Sequence, residues 1–211
     1  MKYKLVCFDV DGTLFRDVNF WMLLHERFGT LEEGKVLTKK YLKTDYDRLV
    51  EEVVGRLWKG RDAAPYHDLV NAISYNDGIK DLFSHIRSKD LITMAITGGS
   101  IDMARRAAKD FGIDHIFGNE LVIQDNKVTG DFIWPVGAGL EKKAEIIEHM
   151  CEDLGIQLSE VIFIGDAETD IEAFKIVGRS IAFNSDCQAL KEVAHHVVES
   201  SDLRDVIGFI E

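Results

Sequence analysis

Residues 4–14 read Lys4-Leu5-Val6-Cys7-Phe8-Asp9-Val10-Asp11-Gly12-Thr13-Leu14. The apolar run from Leu5 to Phe8 stops abruptly at Asp9, and the segment closes on Asp11 and Gly12. A short run of β-formers ended by turn residues is the pattern of a buried strand running into a loop. Residues two apart in an extended chain point the same way. Asp9 and Asp11 therefore leave the strand end on one side as two neighbouring carboxylates. Like charges so placed raise each other's pKa unless something positive lies between them. A divalent cation that prefers hard oxygen ligands, such as Mg²⁺, resolves the conflict. The competing reading is a plain Asp-Gly turn with Asp9 exposed at the strand end, and the rest of the chain decides between them.

The alternation that follows gives the fold. From Phe20 to residue 77 the apolar residues recur at helical spacing, clearest in Tyr46, Leu49, Val50, Val53, Val54 and Leu57. Asp45 serves the start of that helix, and Pro65 suits the opening turn of the next. Trp21 and Trp58 read as core residues of this helical stretch. After Asp77 strands and helices alternate: a helix at Leu82–Ile86, a strand at Leu91–Ile96, a Thr97-Gly98-Gly99 loop, and a helix capped by Ser100 and ended by Gly112. Two short strands flank Asp125-Asn126 as a hairpin. A long helix runs from Leu140 to Leu154 and closes on Gly155. The most hydrophobic strand, Val161–Ile164, leads into Gly165-Asp166-Ala167-Glu168-Thr169-Asp170, and two further short strands lie at Ser180–Phe183 and His196–Val198. This order predicts an α/β fold, a Rossmann-like parallel sheet with helices on both faces. The core comprises residues 1–14 and 78–211, with residues 15–77 inserted as a helical cap domain. Ligands of such sheets bind at the carboxyl ends of the strands, where all three motif loops fall.

Composition sets limits. The 211 residues are 46% hydrophobic and 29% charged, ordinary for a soluble protein, and no apolar run is long enough to span a membrane. The first apolar run is too short for a signal-peptide core, so a cytoplasmic protein, monomer or homodimer, is expected. Cys7, Cys151 and Cys187 are too far apart and too few for a disulfide framework or a zinc site. A net charge of −12 argues against nucleic acid and anionic membranes as partners. It also means that a site for a phosphorylated substrate must be made positive locally.

Three further features supply such a site. Thr97, Gly98 and Gly99 place a hydroxyl and backbone N–H groups at a helix N-terminus, suited to phosphate, although an ordinary strand-to-helix turn has the same residues. Lys143 shares a helix face with Ile146, Ile147, Met150, Cys151 and Leu154, whereas Lys142 shares one with Glu145, His149 and Asp153. Lys142 is then solvated. Lys143 faces the interior and needs an anion or a route to water. Its ammonium is expected to reach the phosphate as a fixed charge. Asp166 and Asp170 stand one helical turn apart and complete four carboxylates at two strand ends. Asp170 has a capping role open to it, while Asp166, at the strand end, is expected to be the more deeply buried.

These motifs, in this order, resemble those of the haloacid-dehalogenase-superfamily phosphohydrolases, and among them the phosphoserine phosphatases. The resemblance rests on Asp9-Val10-Asp11-Gly12-Thr13, Thr97-Gly98-Gly99, Lys143, and Gly165-Asp166 with Asp170, and extends through FGNELVIQDNKVTGDF, KKAEIIEHM and GRSIAFN to DLRDVI. It implies a small phosphorylated metabolite as substrate. Asp9 would be the nucleophile and form an aspartyl-phosphate; Asp11 would protonate the leaving oxygen and then activate water. Thr97, Gly98, Gly99 and Lys143 would hold the phosphoryl group. Mg²⁺ would be held by Asp9, the Asp11 carbonyl and Asp166, with Asp170 in support. The helical insert would close over the site, and the hairpin near Asp125 would form a second flap.

The chain also departs from that pattern. Thr97 replaces a usual serine and keeps the hydroxyl. Ala167 and Thr169 stand where the family has glycine and asparagine, altering contacts around the metal. The family reads serine through an acidic residue soon after the first motif and an arginine further on. Here the neighbourhood is Arg16-Asp17-Val18-Asn19-Phe20-Trp21, and Trp21, Trp58 and Arg56 suit another phosphomonoester. Phosphoryl transfer to a second hydroxyl, and a catalytically silent binding module on the same scaffold, are the competing functions. Dehalogenation fits less well, because it needs neither Asp11 nor the metal carboxylates.

Overall fold

The computed structural model describes residues 2–16 and 19–211. Its centre is β1 (Leu5–Phe8), which pairs in parallel with β2 (Ile92–Ser100) on one side and β5 (Val161–Gly165) on the other. Outward from β2 lie β3 (His115–Gln124) and β4 (Lys127–Ile133), and outward from β5 lie β6 (Arg179–Phe183) and β7 (His196–Val198). The order β4-β3-β2-β1-β5-β6-β7 makes a seven-stranded sheet, parallel except for the β3–β4 hairpin. Asp125 and Asn126 at the hairpin tip both take positive φ, 49° and 56°, as a two-residue turn between twisted strands requires.

The period-two pattern of β1 splits the core. Val6 and Phe8 face one side with α5 (Ile79–Ser88) and α6 (Ile101–Phe111). Leu5 and Cys7 face the other with α7 (Leu140–Leu154), α8 (Ile171–Ile176) and α9 (Gln188–Val193). Both faces of the sheet are covered, so its central strands are hydrophobic throughout rather than alternating.

Between β1 and α5 the chain forms α1 (Phe20–Arg27), α2 (Leu31–Tyr41), α3 (Tyr46–Val50) and α4 (Ala64–Ala72). Asn19 and Asp45 cap α1 and α3 by accepting the amides of Met22 and Arg48. The spacing through Leu57 predicts one α-helix, but residues Glu51–Trp58 wind as a wider π-helix. This stretch packs on β4, and the buried residues Val53, Val54 and Trp58 lie on it. Such widened turns are maintained by tertiary packing and occur often at functional sites.

Two boundaries differ from the sequence reading. Thr97-Gly98-Gly99 is not a loop: β2 continues through Ser100, paired with Asn119 of β3 after a register shift. The shift lies within the glycines, where a missing side chain tolerates irregular pairing. β3 is also longer than the hairpin arm expected, because its first half adds in parallel to β2 before its second half turns back with β4.

Candidate active site

The sheet register brings the motifs together. Phe8 is opposite Ala95 of β2 and Ile164 of β5, so Asp9 leaves β1 level with the ends of both neighbours. The Asp9 amide donates to the Ile164 carbonyl at 2.9 Å, extending the ladder by one bond before the chain turns. Gly12, at φ +85°, lets the loop pass beneath β5; a Cβ there would collide with the Asp166 carboxylate.

Asp9, Asp166 and Asp170 each place a carboxylate oxygen within 4.8 Å of the others. Lys143, 1% exposed, inserts its Nζ 2.8 Å from Asp9 Oδ1 and 2.6 Å from Asp170 Oδ1. Lys142 stays at the surface with Glu145, as its helix face requires. The outcome for the acid pair reverses the expectation. Asp170 is fully buried and Asp166 only partly so. Asp170 folds back to accept the amides of Asp166 and Ala167, both at 3.0 Å, and that capping carries it under the loop. Asp166 is steered by the Thr13 hydroxyl, which donates to its Oδ1 at 2.9 Å.

Asp11 is set apart. Its side chain is outside the carboxylate cluster, with Oδ2 accepting the Phe20 amide at 3.1 Å and Oδ1 buried without a partner. The chain bends at Val10, and the Asp11 carboxylate turns toward the Phe20 amide. A Cβ on Gly99 would crowd both the Asp11 carboxylate and the Thr97 hydroxyl, so Asp11 lies against the Thr97-Gly98-Gly99 segment. The Thr97 hydroxyl oxygen accepts the Gly99 amide at 2.7 Å.

Burial pushes the Asp9 carboxyl well above its usual range, and the Asp170 and Asp166 charges add to that against the opposing pull of Lys143. Asp166 rises to about 7 by burial and its Asp170 neighbour. Asp11 rises to about 6 by burial, moderated by the Phe20 amide and Lys143. Burial alone would lower Lys143, but Asp170 and Asp9 together hold its pKa above the ordinary lysine value. Three carboxylates against one ammonium leave the cluster short of positive charge. An oxygen-rich, electron-rich cluster of this kind fits a hard divalent cation.

The chain's segment 6–175 matches the model of the haloacid dehalogenase-like hydrolases. It belongs to that family. Among the curated members it is similar to the phosphoserine phosphatase of Methanocaldococcus jannaschii, 28% identical over all of this chain and 99% of that protein. It is also similar to that of Wolinella succinogenes, 25% identical over 98% of this chain and all of that one. A solved structure described as a phospho-aspartyl intermediate analogue of phosphoserine phosphatase superposes with a TM-score of 0.84 at 28% identity, covering both chains completely. The chain is thus a phosphoserine-phosphatase-like hydrolase of the family, with the family's α/β fold.

Several positioning residues of this family member have only weak sequence signals. Asn119, fully buried, donates to the carbonyls of Gly98 and Gly137 at 2.8 Å each and accepts the amides of Val136 and Gly137. It ties the end of β2 to the loop before α7. Trp21 donates its indole N–H to the Gly98 carbonyl at 2.8 Å, joining α1 to the same point. Ser185, after β6, donates to the Asp166 carbonyl. Trp21 and Trp58 both line the cavity over the carboxylates, and Trp58 is also core, 2% exposed with its N–H on the Thr30 hydroxyl at 3.2 Å. Arg56 does not enter: it is half exposed and paired with Glu52 and Glu33. Asp17 and Val18, part of the stretch read for a serine-binding acid, lie outside the described residues.

Proposed function

We propose that the chain is a Mg²⁺-dependent phosphatase that hydrolyses a small phosphomonoester with Asp9 as nucleophile. The observation that carries this reading is the buried Lys143 ammonium held between Asp9 and Asp170 beside Asp166. It supplies fixed positive charge where a phosphoryl group would meet Asp9. Asp9, Asp166 and Asp170 would hold the metal with the Asp11 carbonyl, and bound Mg²⁺ would neutralise charge on the transferring phosphoryl oxygens. Asp9 attacks phosphorus, the ester P–O bond breaks, and the leaving oxygen takes a proton from Asp11. Asp11 fits that part because its carboxyl is raised to about 6 and one of its oxygens has no partner. The same carboxylate then takes a proton from the water that attacks the acyl phosphate on Asp9, releasing inorganic phosphate. Thr97, Gly98 and Gly99 line the cavity beside Asp11 and would hold phosphoryl oxygens. Support for the covalent step also comes from the similarity to a phosphatase whose solved structure is described as a phospho-aspartyl intermediate analogue.

In this reading residues 15–77 form the cap over a core of residues 1–14 and 78–211, and the β3–β4 hairpin is the second flap. No helix among the described residues is long and apolar enough to cross a membrane, and the proposed working place is the cytoplasm. The test is release of inorganic phosphate from a panel of phosphomonoesters, with and without Mg²⁺, in the parent and Asp9→Asn. Metal-dependent turnover that disappears in the variant is expected; turnover that persists in Asp9→Asn would remove Asp9 from its role.

A further inference from the structure

The cavity above Asp9 has a volume of about 270 Å³. Its floor is polar, with Asp9, Asp11, Lys143 and Asp166, whereas its wall toward the cap is apolar: Trp21, Leu49, Val53, Val54, Trp58, and Phe132 from the hairpin. Among the described residues that line it, no lysine, arginine, aspartate or glutamate lies outside the floor. Three of the cap's arginines are engaged elsewhere. Arg48 pairs with Glu51 and Glu52, Arg56 with Glu52 and Glu33, and Arg61 donates to the Leu57 and Phe28 carbonyls.

Several polar atoms of the wall are occupied, although Asn19 and Thr38 also line it. The Trp21 N–H is on the Gly98 carbonyl, the Trp58 N–H and His25 Nδ1 are on the Thr30 hydroxyl, and the Tyr46 hydroxyl accepts from Asn119. An amino acid's ammonium and carboxylate would lose their water against this wall and find no opposite charge among its described residues, a large cost. An apolar group would lose only unfavourable contact with water.

Resting on the phosphatase reading above, we infer that the preferred substrate is a phosphomonoester of an apolar alcohol, an alkyl chain or a single ring, rather than of a zwitterionic or polyhydroxy alcohol. The phosphoryl group sits on the polar floor and the leaving group's carbon skeleton lies between Trp21, Phe132 and the Leu49–Val54 face.

The test is kcat/KM with Mg²⁺ for n-alkyl phosphates from ethyl to hexyl, beside O-phosphoserine. Leaving-group basicity is nearly constant along the series, so the slope reports burial. An increase of about fourfold per methylene is expected until the cavity is filled, with hexyl phosphate preferred over phosphoserine by at least about tenfold. A flat or falling series, or phosphoserine preferred over hexyl phosphate, would overturn the inference. Phe132→Ala, at a half-buried position, is expected to flatten the slope to below about twofold per methylene; an undiminished slope would contradict this wall as the binding surface. Turnover of p-nitrophenyl phosphate, whose leaving group departs readily without the wall, reports on the phosphatase reading separately. Its metal-dependent hydrolysis alongside a flat alkyl series discards only the substrate class, and no hydrolysis of any ester discards both.

Discussion

Lys143 joins the two halves of the site: its Nζ is 2.8 Å from Asp9, at the end of β1, and 2.6 Å from Asp170, in the loop after β5. Neither carboxylate is exposed, so the ammonium is their counter-charge as well as a candidate phosphate ligand. Lys143→Met should lower kcat by roughly 10²–10³ through loss of a fixed positive charge. It should also destabilise the metal-free protein by about 3–5 kcal/mol, the usual effect of orphaning a buried charge. Added Mg²⁺ should restore much of that stability, and thermal unfolding with and without the metal checks it.

The proposed mechanism gives proton transfer to Asp11 and metal binding to Asp170. Because the Asp11 carboxylate is outside the cluster, Asp11→Asn should cut kcat by about 10²–10⁴ and leave Mg²⁺ affinity within about threefold. Asp170→Asn should instead weaken Mg²⁺ binding by about tenfold or more. Calorimetric titration of each variant with Mg²⁺ discriminates the two roles.

His25 carries a pH dependence of known sign. It is 1% exposed and accepts or donates at Nδ1 to the Thr30 hydroxyl. Burial pulls its pKa from 6.5 down to about 4, against the opposing effect of Thr30. The folded value is below the unfolded one, so this stability is complete above pH 6.5 and is lost as the pH falls from 6.5 toward 4. Discounted for solvent screening, the loss amounts to about 1–2 kcal/mol over the window. Asp9, Asp11 and Asp166, with raised values, act in the opposite sense. Urea unfolding of the parent and His25→Gln across the window isolates the histidine: the variant should lose less stability on acidification.

Lys43, after α2, reaches Glu168 of the loop after β5 at 2.9 Å, linking the helical insert to that loop. Both side chains are more than half exposed. Lys43→Met should therefore change global stability by less than about 1 kcal/mol. It should still speed amide hydrogen exchange in residues 20–58, where local opening is read without global unfolding.

What the sequence disclosed depended on how local the cause was. The α7 helix from Leu140 to Leu154, the Gly155 stop and the Asp125-Asn126 turn follow from local spacing and caps, and the structure has them as read. Lys143 was legible because one helix face decided it. Three features depended on distant partners. Thr97-Gly98-Gly99 stays in β2 because β3 pairs beside it. Asp170 is buried more deeply than Asp166 where Lys143 of α7, 27 residues away in the chain, meets it. Arg56 turns outward because Glu33 and Glu52 hold it at the surface. Asn119 gives no periodic signal, since its five side-chain bonds reach segments 17 or more residues away.

The most direct test of the central claim is to quench the parent protein in acid during turnover with Mg²⁺ and map the phosphoryl group by peptide mass spectrometry. The account predicts an acid-stable, hydroxylamine-labile phosphoryl group on the peptide containing Asp9, absent in Asp9→Asn. A phosphoryl group on another residue, or steady turnover with none on Asp9, would contradict it.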